Sequence, residues 1–182
     1  MDRVIKASAE LYQVRHNTFE GWGDLFLICG EESVSITINS DYGVFAHNWT
    51  HCGCNPKEFL AKIDFNYCMK KLTDYKLYIK APELYPIQVK QRIIEARREY
   101  EGLTKEEARE AWVDMLNADH DSGDLYFREL IDHHLFGKVF SDYEYLPDAK
   151  KIDPRCQDFW NYVWLPFVEQ LKTELVQDSQ AA

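Results

Sequence analysis

Between residues 33 and 39 the chain alternates without a break: Val34, Ile36 and Ile38 are apolar, and Ser33, Ser35, Thr37 and Asn39 are polar. A period of two puts every other side chain on one face of an extended backbone. One face then buries and the other stays wet, as antiparallel sheets allow and parallel sheets rarely do. The flanking sequence agrees. Leu25-Phe26-Leu27-Ile28-Cys29 is a short apolar run between Gly23 and Gly30, followed by the turn-like Gly30-Glu31-Glu32. Asn39-Ser40-Asp41-Tyr42-Gly43 is a second turn, after which Val44 to Trp49 can return as a strand. Upstream, Ile5, Ala7, Ala9 and Leu11 alternate with polar neighbours across residues 4–14, and Asn17 to Gly23 reads as loop. These signals predict a meander of three or four antiparallel strands.

From residue 56 the period becomes helical. Asn55 is placed to cap and Pro56 suits a first turn. Phe59, Leu60, Ile63, Tyr67 and Leu72 then predict one amphipathic helix. Tyr75, Leu77 and Ile79 fit a brief strand or an extended link towards Pro82 and Pro86, with a helix over about residues 87–100. Thr104 and Glu107 have capping-box spacing, and Ala108, Ala111, Trp112 and Met115 fall on one face of the helix that follows. Asp119-His120-Asp121-Ser122-Gly123 ends it. A short helix from Asp124 to about Leu135 and a loop over residues 137–153 come next. Asp153 caps the last helix, with Pro154 in its first turn. Phe159, Val163, Phe167, Leu171 and Leu175 form its stripe, beside Trp160 and Trp164. Pro166 removes a backbone donor and predicts a kink. The fold class is therefore α+β: an N-terminal antiparallel meander of three or four strands packed against four or five helices. The expected layout is a single domain over 1–182, mainly sheet in 1–54, mainly helical in 55–176 and frayed in 177–182. Trp112, Trp160 and Trp164 are expected to be largely buried.

Composition narrows the classes. Hydrophobic residues make up 46% of the chain and aromatics 14%, enough for a packed core and too much for general disorder. No apolar run approaches the roughly 20 residues of a membrane-spanning helix, and Met1-Asp2-Arg3-Val4-Ile5-Lys6 lacks the apolar core of a secretory signal. Cys29, Cys52, Cys54, Cys68 and Cys156 are odd in number and follow no disulfide framework, which suits a reducing cytosol. The net charge of −10 is concentrated: residues 95–145 carry 14 acids and 6 bases. Such a field disfavours direct contact with nucleic-acid phosphate and attracts a protein or complex with a basic surface. Glu106, Glu107, Glu110 and Asp114 are the candidate contact residues. A merely solubilising helical face is the alternative.

The densest chemical cluster is His47, His51, Cys52 and Cys54, with Cys68 beyond. These are zinc-type ligands. Their spacing is poor, because His51 and Cys52 are adjacent and one residue separates Cys52 from Cys54. Neighbouring side chains of an extended segment point to opposite faces. The competing reading is a strand-to-helix loop with small thiols. His133-His134 sits where a helix dipole favours imidazole, without an accompanying HExxH. Asp119, Asp121 and Asp124 resemble the start of a calcium loop, but its twelfth position is Leu130 and not glutamate. No glycine-rich phosphate loop, nucleophile elbow or CxxC pair occurs. No catalytic residue is nominated, no cofactor is expected, and a non-enzymatic protein is the leading reading. A metal-binding module or metal-dependent enzyme at residues 47–54 is the first alternative. The second is a nucleic-acid binder using the stretch 57–92, where Lys57, Lys62, Lys70, Lys71, Lys76, Lys80, Lys90 and Arg92 interleave with Tyr67, Tyr75, Tyr78 and Tyr85.

Ser40-Asp41-Tyr42-Gly43, then Phe45 and Trp49, then Phe59-Leu60 and Tyr67 through Lys70-Lys71-Leu72, resemble a family of small accessory proteins of bacteriophages and prophages of Gram-negative bacteria. Phe159-Trp160, Val163-Trp164 and Pro166-Phe167 are similar to the C-terminal helix of the same proteins. Together these stretches cover roughly a third of the chain, and the shared motifs are structural and not catalytic. The chain departs from the pattern at His51-Cys52-Gly53-Cys54, where a Ser/Gly-rich loop would be expected. The resemblance implies a phage context and a protein that acts by binding a host protein in the host cytosol. An anti-defence role, such as blocking a CRISPR effector complex, is the sharpest form of that expectation.

Overall fold

A computed structural model of the chain describes residues 4–17, 21–118 and 123–181. The expected helix stop at residues 119–122, and the Asp119/Asp121/Asp124 pattern that rests on it, lie outside the described residues. The chain forms two compact units, one of residues 1–77 and 152–182, the other of residues 78–151.

The first unit is built on a four-stranded antiparallel sheet in the order β1 (Glu10–Val14), β2 (Gly23–Cys29), β3 (Val34–Ser40), β4 (Gly43–Trp49). The alternation read in β3 sets its register. Ile36 stands opposite Leu27 and Ile38 opposite Leu25, and all four are buried. A slip of one residue would turn that row to solvent, so the pairing is strongly specified. β1 departs from expectation. Residues 4–9 form no strand, and pairing to β2 places Tyr12 opposite Leu25, so Tyr12 and Val14 pack on the core. Leu11 faces the other way against Phe26 and is half exposed.

The single helix expected after residue 56 is two, α1 (Pro56–Lys62) and α2 (Phe65–Leu72). Asn55 caps α1 by accepting from the N–H groups of Lys57 and Glu58. Ile63 then turns extended, and the Asp64 carboxylate accepts from Tyr67 N–H to start α2. An aspartate that bonds its own downstream backbone competes with helix continuation. Near the chain end α7 (Pro154–Phe159) leads through a π-helical turn at Trp160–Trp164 into α8 (Leu165–Ala181). Pro166 accounts for the irregularity. It has no N–H for the carbonyl of Tyr162, four residues earlier, and the His16 Nε2–H donates to that oxygen instead at 2.6 Å. Gly23 lets β2 approach this turn, since a Cβ there would collide with Val163.

Four helices, α1, α2, α7 and α8, share one core with the sheet. Phe159, Val163, Trp164, Phe167 and Leu171 interleave with Leu25, Leu27, Ile36, Leu60 and Met69. The stripe read from the sequence is thus the buried face as far as Leu171; Leu175 and Trp160 are only partly buried. At the edge of this core Lys57 Nζ reaches Glu10 at 2.7 Å and Glu174 at 3.1 Å, tying β1, α1 and α8 together. Burial works against this ammonium, but the two carboxylates outweigh it and keep the amine protonated well above its ordinary range.

The second unit begins at β5 (Tyr78–Lys80), which pairs with β6 (Lys150–Ile152). Between them lie α3 (Tyr85–Arg98), α4 (Lys105–Asn117), α5 (Gly123–Asp132) and α6 (Phe136–Val139). Residues 137–153, expected as loop, include α6, a 3-10 turn at Tyr143–Tyr145 and β6. The core joins Tyr85, Val89, Ile93, Ala111, Met115, Tyr126, Leu130 and Phe140, with the Tyr85 and Tyr126 rings stacked at 5.5 Å. Gly102 permits the α3–α4 turn, because a Cβ there would fall on the carbonyl of Ala96, which receives Leu103 N–H. Trp112, expected in the core, is 40% exposed, with Lys90 Nζ 5.5 Å from its ring.

Trp164 is fully buried at the centre of the first core. Trp164→Ala should lower unfolding free energy by about 3–5 kcal/mol, as large-to-small core changes do. Chemical denaturation measures it, and a loss below about 1 kcal/mol would contradict the packing described.

Candidate functional site

The site is built on α4, and its start is specified in sequence. Glu107 N–H donates to Thr104 Oγ1 at 3.2 Å and Thr104 N–H donates to Glu107 Oε2 at 2.8 Å, completing the capping box. Successive helical residues are about 100° apart, so Ala111 and Met115 define a narrow buried seam. The two flanks of that seam differ sharply in charge. On one flank Glu107, Asp114 and Glu110 follow in order, with Glu106 beyond them. On the other stand Trp112, Lys105 and Arg109. The four acidic residues nominated from sequence therefore share one stripe.

Three of the four have basic neighbours within the same unit. Glu107 Oε1 accepts from Lys138 Nζ at 2.6 Å. Glu110 Oε1 lies 3.3 Å from His134 Nε2, and Asp114 Oδ2 lies 3.4 Å from His133 Nε2. The two imidazoles stack at 4.8 Å between centroids. Glu110 and Asp114 remain about half exposed, whereas Glu107 is largely covered. Glu106 is exposed on the helix surface. The stripe thus splits into one structural carboxylate, Glu107, and three that face outward.

Glu110, His133 and His134 place ligand atoms within 4.8 Å of one another, a spacing one cation could bridge. The hydrogen bonding opposes this use. Leu135 N–H donates to His133 Nδ1 at 3.2 Å, so in the neutral ring the proton sits on Nε2 and points at Asp114. A metal on Nε2 would need the other tautomer, with Nδ1–H facing an N–H. The pairing of two histidines with α4 was not legible in the sequence, because roughly twenty residues separate the partners.

The sequence-nominated ligands His47, His51, Cys52 and Cys54 do not gather. His47 lies on β4 with its ring against Trp49, centroids 4.5 Å apart. His51 is exposed beside Glu32 at 3.1 Å. Cys52 is held by its backbone N–H to the Glu32 carbonyl, and burial raises its thiol above the ordinary range. Cys54 donates to the carbonyl of Asn55 at 3.6 Å. In the lysine/tyrosine stretch, Lys57 is committed to its carboxylates, Lys62 pairs with Glu58, and Lys71 bonds Tyr75.

The Lys138 hydrogen bond, with the Thr104 N–H behind it, holds the Glu107 carboxyl at about 2, against an ordinary 4.5. Its folded value lies below its unfolded one, so its stabilisation is complete above pH 4.5 and is lost as pH falls towards 2. Glu107→Gln should therefore be less stable than wild type at neutral pH, and the difference should shrink across that window. Denaturation at stepped pH measures it, and a difference that does not change with pH would contradict the pairing.

Among the described residues no helix is long and apolar enough to cross a membrane. No curated protein and no solved structure matches the chain. A family model described as a phage family, Phage_phiTE_072, matches residues 2–172. That match spans both compact units, and the chain belongs to this phage family.

Proposed function

We propose that the chain acts by binding rather than by catalysis, and that the acidic flank of α4 meets a basic surface on a host protein or complex. One observation carries this reading: Glu106, Glu110 and Asp114 stand exposed in one stripe with Val113, itself 50% exposed, beside them. Interfaces combine apolar and charged side chains, and Val113 lies at the margin of this stripe, next to Glu106. The charges favour fast and selective encounter with a basic surface, an effect that salt weakens.

Membership of a phage family supports a host target, since a phage protein made during infection meets the proteins of the host cytosol. A negative face can also occupy a groove shaped for nucleic acid. The finer reading is therefore a target that handles nucleic acid, such as a CRISPR effector or another defence complex. It rests on charge and phage context.

The test is a pull-down from host-cell extract using wild type and the triple variant Glu106→Lys, Glu110→Lys, Asp114→Lys. Glu107 is left intact because it caps α4. The expected result is a discrete host partner retained by wild type, released as salt rises, and lost by a triple variant whose circular dichroism and melting match wild type. A partner retained equally by both folded proteins would refute the acidic-flank reading.

A further inference from the structure

The opposite flank of α4 carries the reverse pattern. Between α3 and α4 lies an open groove of about 310 Å³ floored by Ile93, Ile94, Ala108 and Trp112 and rimmed by Arg97, Arg98 and Arg109. Its floor is apolar, and Ile94 and Trp112 are each about 40% exposed there. Acids outnumber bases 31 to 21 in the chain, so a surface arginine has many possible carboxylate neighbours. Among the described residues none of these three guanidinium groups lies in an ion pair, whereas Arg92 on the same helix pairs with Glu95 at 2.8 Å.

We propose that this groove docks an amphipathic acidic helix of a partner protein, whose apolar side chains lie over Ile94 and Trp112 and whose carboxylates meet Arg97, Arg98 and Arg109. Guanidinium forks bind carboxylates in a bidentate manner, and Trp and Arg are the residues most enriched where interfaces gain their energy. An apolar groove between two helices is an ordinary receptor for a third helix. The net charge of −10 does not forbid an acidic ligand. At physiological salt the Debye length is about 8 Å, so carboxylates farther than that from the rim are largely screened. Nucleic acid would also meet the arginines, but its backbone would leave the apolar floor uncovered. The acidic flank lies on the other side of the α4 seam and takes no part in this groove.

The probe is a labelled synthetic helix of about 15 residues, long enough to hold some helicity alone, with Leu at i, i+3, i+4 and i+7 and Glu elsewhere. Its controls are a twin with Lys for every Glu and a single-stranded oligonucleotide of equal negative charge. Fluorescence anisotropy on the full chain should show the Glu helix binding and the Lys twin not. Trp112→Ala, and separately Arg97→Glu with Arg98→Glu, should each weaken the Glu helix by about tenfold or more, a loss typical of removing an interface anchor. These side chains are exposed, and whichever variant keeps the wild-type circular dichroism decides the matter. Glu106→Lys with Asp114→Lys should leave the affinity within about twofold, which separates this groove from the acidic flank. Three results would each overturn the proposal: no binding of the Glu helix, equal binding of the Lys twin, or binding of the oligonucleotide alone.

Discussion

What the second unit can offer a partner depends on how narrowly α4 is buried. Only Ala111 and Met115 are fully covered along it, and small side chains let α3 come close without wrapping the helix. A wide apolar stripe would have consumed the neighbouring positions. The narrow seam leaves both flanks free to carry chemistry, with carboxylates towards the α5–α6 side and arginines with a tryptophan towards α3. The capping box fixes where α4 begins, and with it which residue falls on which flank. Charge separation across one helix is therefore a consequence of local sequence, not of a distant fold constraint.

The first unit is held together differently. Its sheet is closed on one face by α7 and α8, and the two arms are joined at a point where regular helix cannot continue. Pro166 leaves the Tyr162 carbonyl without its helical donor, and His16, just past the end of β1, fills the gap. The interruption thus links chain segments far apart in sequence. The Lys57 cluster does the same along β1, where one ammonium serves two carboxylates and lies 5.6 Å from the Tyr12 ring.

Local signals in the sequence reported local structure faithfully. The alternation in β3 gave the sheet its face, and Thr104 with Glu107 located α4 to the residue. Period alone misled where two signals coincided. Ile63 continues the apolar spacing of α1, so the break made by Asp64 is invisible until the cap is seen. Residues 4–14 hold apolar side chains at both parities, and only pairing with β2 decides that Tyr12 and not Leu11 turns inward. Trp112 sits on the apolar side of α4, but periodicity gives a direction and not the width of the partner surface. The candidate site shows the same division. The acidic stripe was legible because it lies within one helix. Its histidine neighbours were not, because they arrive from a different helix. His47, His51, Cys52 and Cys54 are close in sequence, yet they lie on a strand and a loop that point them to different neighbours.

The two units belong to one phage-family chain, and α4 of the second carries acidic residues on one flank and basic residues on the other. Binding through α4 would leave a footprint on the bound chain. Hydrogen–deuterium exchange would compare the free protein with its complex with the captured host partner. New protection is expected over residues 105–117, concentrated on peptides holding Glu106, Glu110, Val113 and Asp114. Protection confined to the sheet of the first unit, with α4 exchanging as in the free protein, would contradict binding through α4.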